Sequence, residues 1–267
     1  MTKRNLNKIR AEFDDTGHVI LSGFFPKKLV NSWRSAAEDL FLRASFAARA
    51  DRRFLGPGSL VSFVVHPSFV VIRPVPEITF YSNHIFGNKK VHTIVSALLG
   101  TSDHYTPLYD VGFNTSGKKP QHIHRDFSPI LPQLNSPLPT TTIALAVPLV
   151  NMDEDNGVLE LWPGSHKLID SKLRFNDRLD GQVGKKKGVR PFLPAGSLFL
   201  RDTRLIHRGM PNPSQDFRPW LSAVCVHPVI PFTNKITMAK TTWNKLNATA
   251  KKQFRYVDVV DKPRWTL

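Results

Sequence analysis

Residues 121–127 read QHIHRDF, and the fold turns on how they are read. His122, His124 and Asp126 stand at alternate positions. In a β-strand, side chains at i, i+2 and i+4 share one face. A strand here therefore aims two imidazoles and a carboxylate at one point. Strand interiors disfavour Asp, so a polar, solvent-facing strand is the competing reading. The surrounding chain decides between the two.

Working outward, the chain from about residue 105 is a series of short β-type runs. These are YTPLYDVGF, QHIHRDF, TTTIALAVPLV, GVLELW, SLFL and PWLSAVCVHPVI, separated by Gly, Pro, Asn and Asp. Short strands at such spacing predict a β-sandwich or barrel. Asp155-Asn156-Gly157 predicts a tight turn between two of them. The polar segment 170–190, ending in GKKKG, predicts a long surface loop of the kind that serves as a lid. Upstream, Val19-Ile20-Leu21 is a short apolar run. Leu29, Trp33, Ala36-Ala37 and Leu40-Phe41 recur at helical spacing after Pro26. KKVHTIVSALL (89–99) predicts a second helix stopped by Gly100. Residues 59–86, rich in Val, Phe and Pro, favour neither state, and 239–254 predicts a terminal helix. Without a repeat or linker, residues 1–267 read as one domain. Its parts are a helical region to about 100, a β core over about 101–232, and the C-terminal helix.

With 41% hydrophobic residues, 18 Phe and 5 Trp among 267 residues, the chain can build a substantial core. No apolar run approaches the ~20 residues of a membrane span. MTKRNLNKIRAEFDD lacks the apolar centre of a secretory signal, and WTL is not an SKL-type address. One cysteine, Cys225, excludes an internal disulfide and a Cys-based zinc site. The expectation is a reducing, cytoplasmic setting. Lys and Arg number 37 against 21 Asp and Glu, a net charge of +16. Such a field attracts polyanions: nucleic acid, anionic membrane or phosphate-bearing small molecules. The charges are spread along the chain and no nucleic-acid motif accompanies them. Solubility is the first reading of the charge, and a nucleic-acid partner the second.

Ten histidines are present. His18, His66, His84, His92, His104 and His227 stand alone and read as structural or surface residues. His207 differs, because it ends the strand-like run in PAGSLFLRDTRLIHRG just before a turn marked by Gly209 and Pro211. Arg218 follows eleven residues later, opening the next β-run. With His124 and Asp126, His207 completes two histidines and a carboxylate. That set is the facial triad of non-haem Fe(II) oxygenases.

Taken in order, these pieces resemble the phytanoyl-CoA dioxygenase family of iron- and 2-oxoglutarate-dependent oxygenases. They are FDDTGHVILSGFF, His124-Arg125-Asp126, DEDNGVLELWPGSH (153–166), PAGSLFLRDTRLIHRGMPNPS, and Arg218. The resemblance implies a double-stranded β-helix: a mainly β jelly roll, cupin-like, with flanking helices. It implies that His124, Asp126 and His207 bind Fe(II), and that Arg218 binds 2-oxoglutarate, the cosubstrate used with O2. The family spacing H-x-D selects His124 over His122 as the ligand, leaving His122 as a group behind the ligands or in the pocket lining. A cupin alternative needs a Glu four residues after the second histidine, where Ser128 stands. Arg125 falls where the family often carries a neutral residue. Asn114-Thr115-Ser116 falls where many members carry a lysine, and His166 reads as structural. The implied activity is hydroxylation of a small organic substrate, anionic or of natural-product type, with release of succinate and CO2. The alternatives are a basic nucleic-acid-associated protein or a non-catalytic scaffold on the same barrel.

Overall fold

Helices form where an apolar stripe meets a stop signal. The computed structural model describes residues 2–54, 61–63, 69–73, 79–127, 136–169, 183, 186–232 and 236–263. Helix α2 (Lys27–Ala50) starts after Pro26 and buries Val30, Trp33, Ala37, Leu40 and Ala44, one stripe at spacings of three and four. Helix α3 (Lys89–Leu99) is capped by the Asn88 side chain and ends at Gly100, whose φ of 71° suits a residue without Cβ. Both match the sequence reading. The first helix, α1 (Lys3–Thr16), was not anticipated, because only Phe13 among its residues is buried and no apolar stripe announces it.

Seven strands form the larger sheet in the order β1-β7-β5-β9-β4-β3-β2, every neighbouring pair antiparallel. They are β1 (His18–Leu21), β2 (Val61–Phe63), β3 (Phe69–Ile72), β4 (Tyr105–Asn114), β5 (Thr142–Pro148), β7 (Leu198–Asp202) and β9 (Arg218–Val226). The region expected to be helical thus supplies both edges, β1 at one and the β2–β3 pair at the other. A smaller sheet pairs β6 (Leu159–Leu161) with β8 (His207–Gly209). Gly157, at φ 82°, makes the turn expected over 155–157. The expected C-terminal helix is two helices, α4 (Lys240–Lys245) and α5 (Ala248–Gln253). They lie between β10 (Thr237–Ala239) and β11 (Asp258–Val260), and Asn247 breaks the run by accepting from Ala250 N at 2.9 Å. The lid expected over 170–190 lies mostly outside the described residues.

Alternation along the strands sorts the two faces of the larger sheet. Leu221, Ala223 and Cys225 on β9 join Ile143, Leu145, Val111 and Phe113 in the core shared with α2 and α3. Each fully buried large apolar side chain there contributes roughly 1.5–3 kcal/mol. Trp220, Ser222 and Val224 point the other way, into a cavity that the smaller sheet faces. Two antiparallel sheets, one backed by helices, make the jelly roll.

Residues 121–127 depart from the expected strand. Gln121 N donates to Gly209 O, while His124 and His207 exchange both main-chain hydrogen bonds, each at 2.9 Å. Two residues separate the first pair of positions and one separates the second, which is the geometry of a β-bulge. The extra residue shifts the alternation. Gln121, His124 and Asp126 line the cavity, and His122 leaves the set.

Candidate functional site

The nitrogen and oxygen atoms that His124, Asp126 and His207 offer lie within 4.8 Å of one another. Asp126 Oδ1 stands 3.8 Å from His124 Nε2 and 3.5 Å from His207 Nε2. Behind the rings, His124 Nδ1 donates to the His122 carbonyl at 2.8 Å and His207 Nδ1 to the Leu205 carbonyl at 3.0 Å. Those bonds place the protons on Nδ1 and leave both Nε2 lone pairs facing Asp126. Burial pushes the pKa of both imidazoles down, that of His207 well below its usual range. They are neutral, as metal ligands must be. Burial also opposes the Asp126 anion, but the Arg201 guanidinium bonded to it outweighs burial and holds the carboxyl well below the ordinary carboxylate range.

Arg218 stands in the same cavity at 3% exposure. Its Nη1 lies 3.0 Å from Met152 Sδ and its guanidinium 4.9 Å from the Trp220 ring centroid. Its Nε has no hydrogen-bond partner among the described residues. Burial lowers its pKa from 12.5 to about 9, so the group remains charged at neutral pH. Gly112 makes room for this arrangement, because a Cβ at that position would run into the Trp220 ring. The cavity measures about 370 Å³, and its walls include Phe69, Leu108, Leu193 and Phe199.

The remaining sequence candidates fall outside the cavity. The His122 ring, 5.1 Å from that of His124, is not among the lining residues, and the residue serves through its carbonyl instead. Arg125 turns away from the cluster and donates to the carbonyls of Ser165 and Leu168 at 3.2 and 3.0 Å. Asn114 is buried and donates to Met210 O at 3.0 Å. His166 packs against Gly17, with its Nε2 3.3 Å from Asp14 O. The stretches FDDTGH and PGSH meet there, and Gly164 N donates to Thr16 O at 2.9 Å.

Gln121, Met152 and Arg201 also line the cavity and escaped the sequence reading. Only Arg201 left a signal, as a charge within the apolar run SLFLRD and two positions from Phe199. Its Nη2 lies 2.6 Å from Asp126 Oδ2. Its Nη1 is 3.0 Å from His207 Nδ1, which cannot accept while it donates to Leu205; Asp126 is therefore the partner that anchors Arg201.

A helix-backed jelly roll with two histidines, a carboxylate and a buried arginine around one cavity has the architecture of a cupin-like oxygenase. The chain belongs to the phytanoyl-CoA dioxygenase (PhyH) family, whose profile matches residues 13–220. Among solved structures it resembles the non-heme alpha ketoglutarate dependent epimerase SnoN from nogalamycin biosynthesis, at 17% identity. The match covers 85% of this chain and 84% of that one, with a TM-score of 0.60. HygX from Streptomyces hygroscopicus, solved with nickel, 2-oxoglutarate and hygromycin B, matches at 16% identity over 98% and 97% of the two chains (TM-score 0.60). EctD from S. alaskensis with bound Fe matches at 18% over 88% and 78% (TM-score 0.59). At these identities the likeness establishes the fold. No helix among the described residues is long and apolar enough to cross a membrane.

Proposed function

We propose that this chain is an Fe(II)- and 2-oxoglutarate-dependent dioxygenase in which His124, Asp126 and His207 hold the iron and Arg218 anchors 2-oxoglutarate. The observation that carries the reading is Arg218: a charged guanidinium, buried, whose Nε has no partner among the described residues, in the cavity that also holds the two histidines and the aspartate. A buried charge with no anionic partner among the described residues is costly, so such a group belongs to a site that an anion completes. The planar fork suits a carboxylate and holds it bidentately, where a lysine would act as a point charge. The donor set fits iron, since two neutral imidazoles and one carboxylate leave three positions open on an octahedral ion.

When bound, iron and 2-oxoglutarate activate O2 at the expense of 2-oxoglutarate, which leaves as succinate and CO2. The chain's own residues position the partners. The Leu205 and His122 carbonyls fix the two rings, Met152 and Trp220 hold the guanidinium, and the apolar walls exclude water. Hydroxylation is the proposed outcome. The substrate is a small organic molecule whose apolar part fits those walls, and the basic surplus favours one that carries negative charge. We place the activity in a single domain over residues 1–267 and in the cytoplasm.

Anaerobic addition of Fe(II) and 2-oxoglutarate tests the reading. A weak visible charge-transfer band is expected, and neither a scaffold nor a nucleic-acid-binding barrel would give one.

A further inference from the structure

The structure assigns Arg201 as the residue that keeps Asp126 a one-oxygen ligand, and so sets how many positions on the metal stay open. The inference rests on the proposed metal centre. A carboxylate can bind a metal through one oxygen or through both, and the second oxygen takes up a further position. In Asp126 the two oxygens are already divided. Oδ1 faces the two Nε2 atoms, while Oδ2 accepts from Arg201 Nη2 at 2.6 Å, the length of a strong charge-assisted bond.

Arg201 is well placed to hold that oxygen. It lies on the cavity face of β7, with Ala144 and His18 as its cross-strand neighbours, and is 7% exposed. From the main chain, Asp126 N donates at 3.0 Å to the carbonyl of Thr203, the residue directly after the same strand. The aspartate is therefore fixed at its main chain by Thr203 and at Oδ2 by Arg201, and rotating Oδ2 toward a metal would break the ion pair. 2-Oxoglutarate chelates through two positions and O2 needs a third. A two-oxygen aspartate would leave one too few.

The test compares wild type with Arg201→Leu and Arg201→Lys, each checked for fold by circular dichroism and melting. Nickel affinity is measured by calorimetry. Affinity for 2-oxoglutarate is then measured on the nickel-loaded protein, together with the charge-transfer band on the anaerobic iron form. Arg201→Leu should hold nickel within about threefold of wild type yet bind 2-oxoglutarate at least about tenfold more weakly, with the band lost or shifted. The crystal structure of its nickel form should show both Asp126 oxygens on the metal. Arg201→Lys, which keeps a charged donor within reach of Oδ2, should recover most of the affinity. If Arg201→Leu does not fold, Arg201→Lys carries the test through the same crystal structure, with one Asp126 oxygen expected on the metal and two refuting the assignment. Unchanged 2-oxoglutarate affinity in Arg201→Leu, a single Asp126 oxygen on its nickel, or loss of metal by a folded variant each overturns the role given to Arg201. A wild-type protein that shows no band overturns the dioxygenase reading first, and this assignment with it.

Discussion

Replacing Arg218 by methionine should make the ligand-free protein more stable and the enzyme worse. Burial takes the Arg218 pKa from 12.5 to about 9. At about 1.36 kcal/mol per pKa unit, this drop of roughly 3.5 units is a penalty of up to about 5 kcal/mol for keeping the charge inside the folded chain. The sign follows from linkage. A base with a lower pKa in the folded state destabilises that state while charged, so the penalty is complete at pH 7 and is relieved only as pH climbs through about 9. Methionine removes the charge and keeps most of the stem beside Met152 and Trp220. After some lost packing, a gain of about 1–4 kcal/mol remains, or several degrees in Tm for a chain of this size. 2-Oxoglutarate affinity should move the other way, since a charge-assisted pair worth about 1.5–3 kcal/mol is lost, roughly 10- to 150-fold. Differential scanning fluorimetry of the ligand-free protein and calorimetry with 2-oxoglutarate on the nickel-loaded protein measure the two effects. A variant that melts lower than wild type and binds 2-oxoglutarate unchanged would refute the reasoning and make Arg218 an ordinary structural residue.

Other substitutions test the rest of the site. Alanine at His124, Asp126 or His207 should abolish succinate formation with the fold intact. His122→Ala should retain iron and turnover, because His122 acts through its carbonyl, and iron analysis of the purified variants separates the cases. Asp110→Asn should stabilise the protein at neutral pH by about 1–3 kcal/mol. Burial raises the Asp110 pKa from 3.8 to about 6, so wild-type stability falls as pH rises through that window, and urea titrations at pH 4 and 7 should show the fall vanish in the variant. Gly112→Ala should cost about 1–3 kcal/mol by pushing Trp220 aside, and should weaken 2-oxoglutarate binding as the ring stops backing Arg218.

Short strands, the α2 stripe and the Gly100 stop could all be read from residue patterns, because amphipathic period and turn chemistry are local. The His124, Asp126, His207 and Arg218 set was readable because side-chain chemistry narrows the choice and the pieces fall in family order. What stayed hidden depends on contacts between distant segments. The bulge at 121–124 depends on its pairing with β8, and no feature of QHIHRDF records it. Arg125 stands out as a charge between His124 and Asp126 until Ser165 and Leu168 supply its acceptors. Arg201 matters through Asp126, 75 residues away in the chain. Strands β1 to β3 are too short for their alternation to stand out.

The bulge also bears on how this stretch can change length. Losing one residue between Gln121 and His124 would leave their pairings with Gly209 and His207 in place and turn the segment into a regular ladder. Gln121, His124 and Asp126 would then alternate strictly on one face, still aimed inward. A loss between His124 and Asp126 has no such slack and would carry the carboxylate to the opposite side. Evolution can therefore lengthen or shorten the approach to His124 while the tripeptide His124-Arg125-Asp126 keeps its size, and length differences among relatives should gather on the Gln121 side of it.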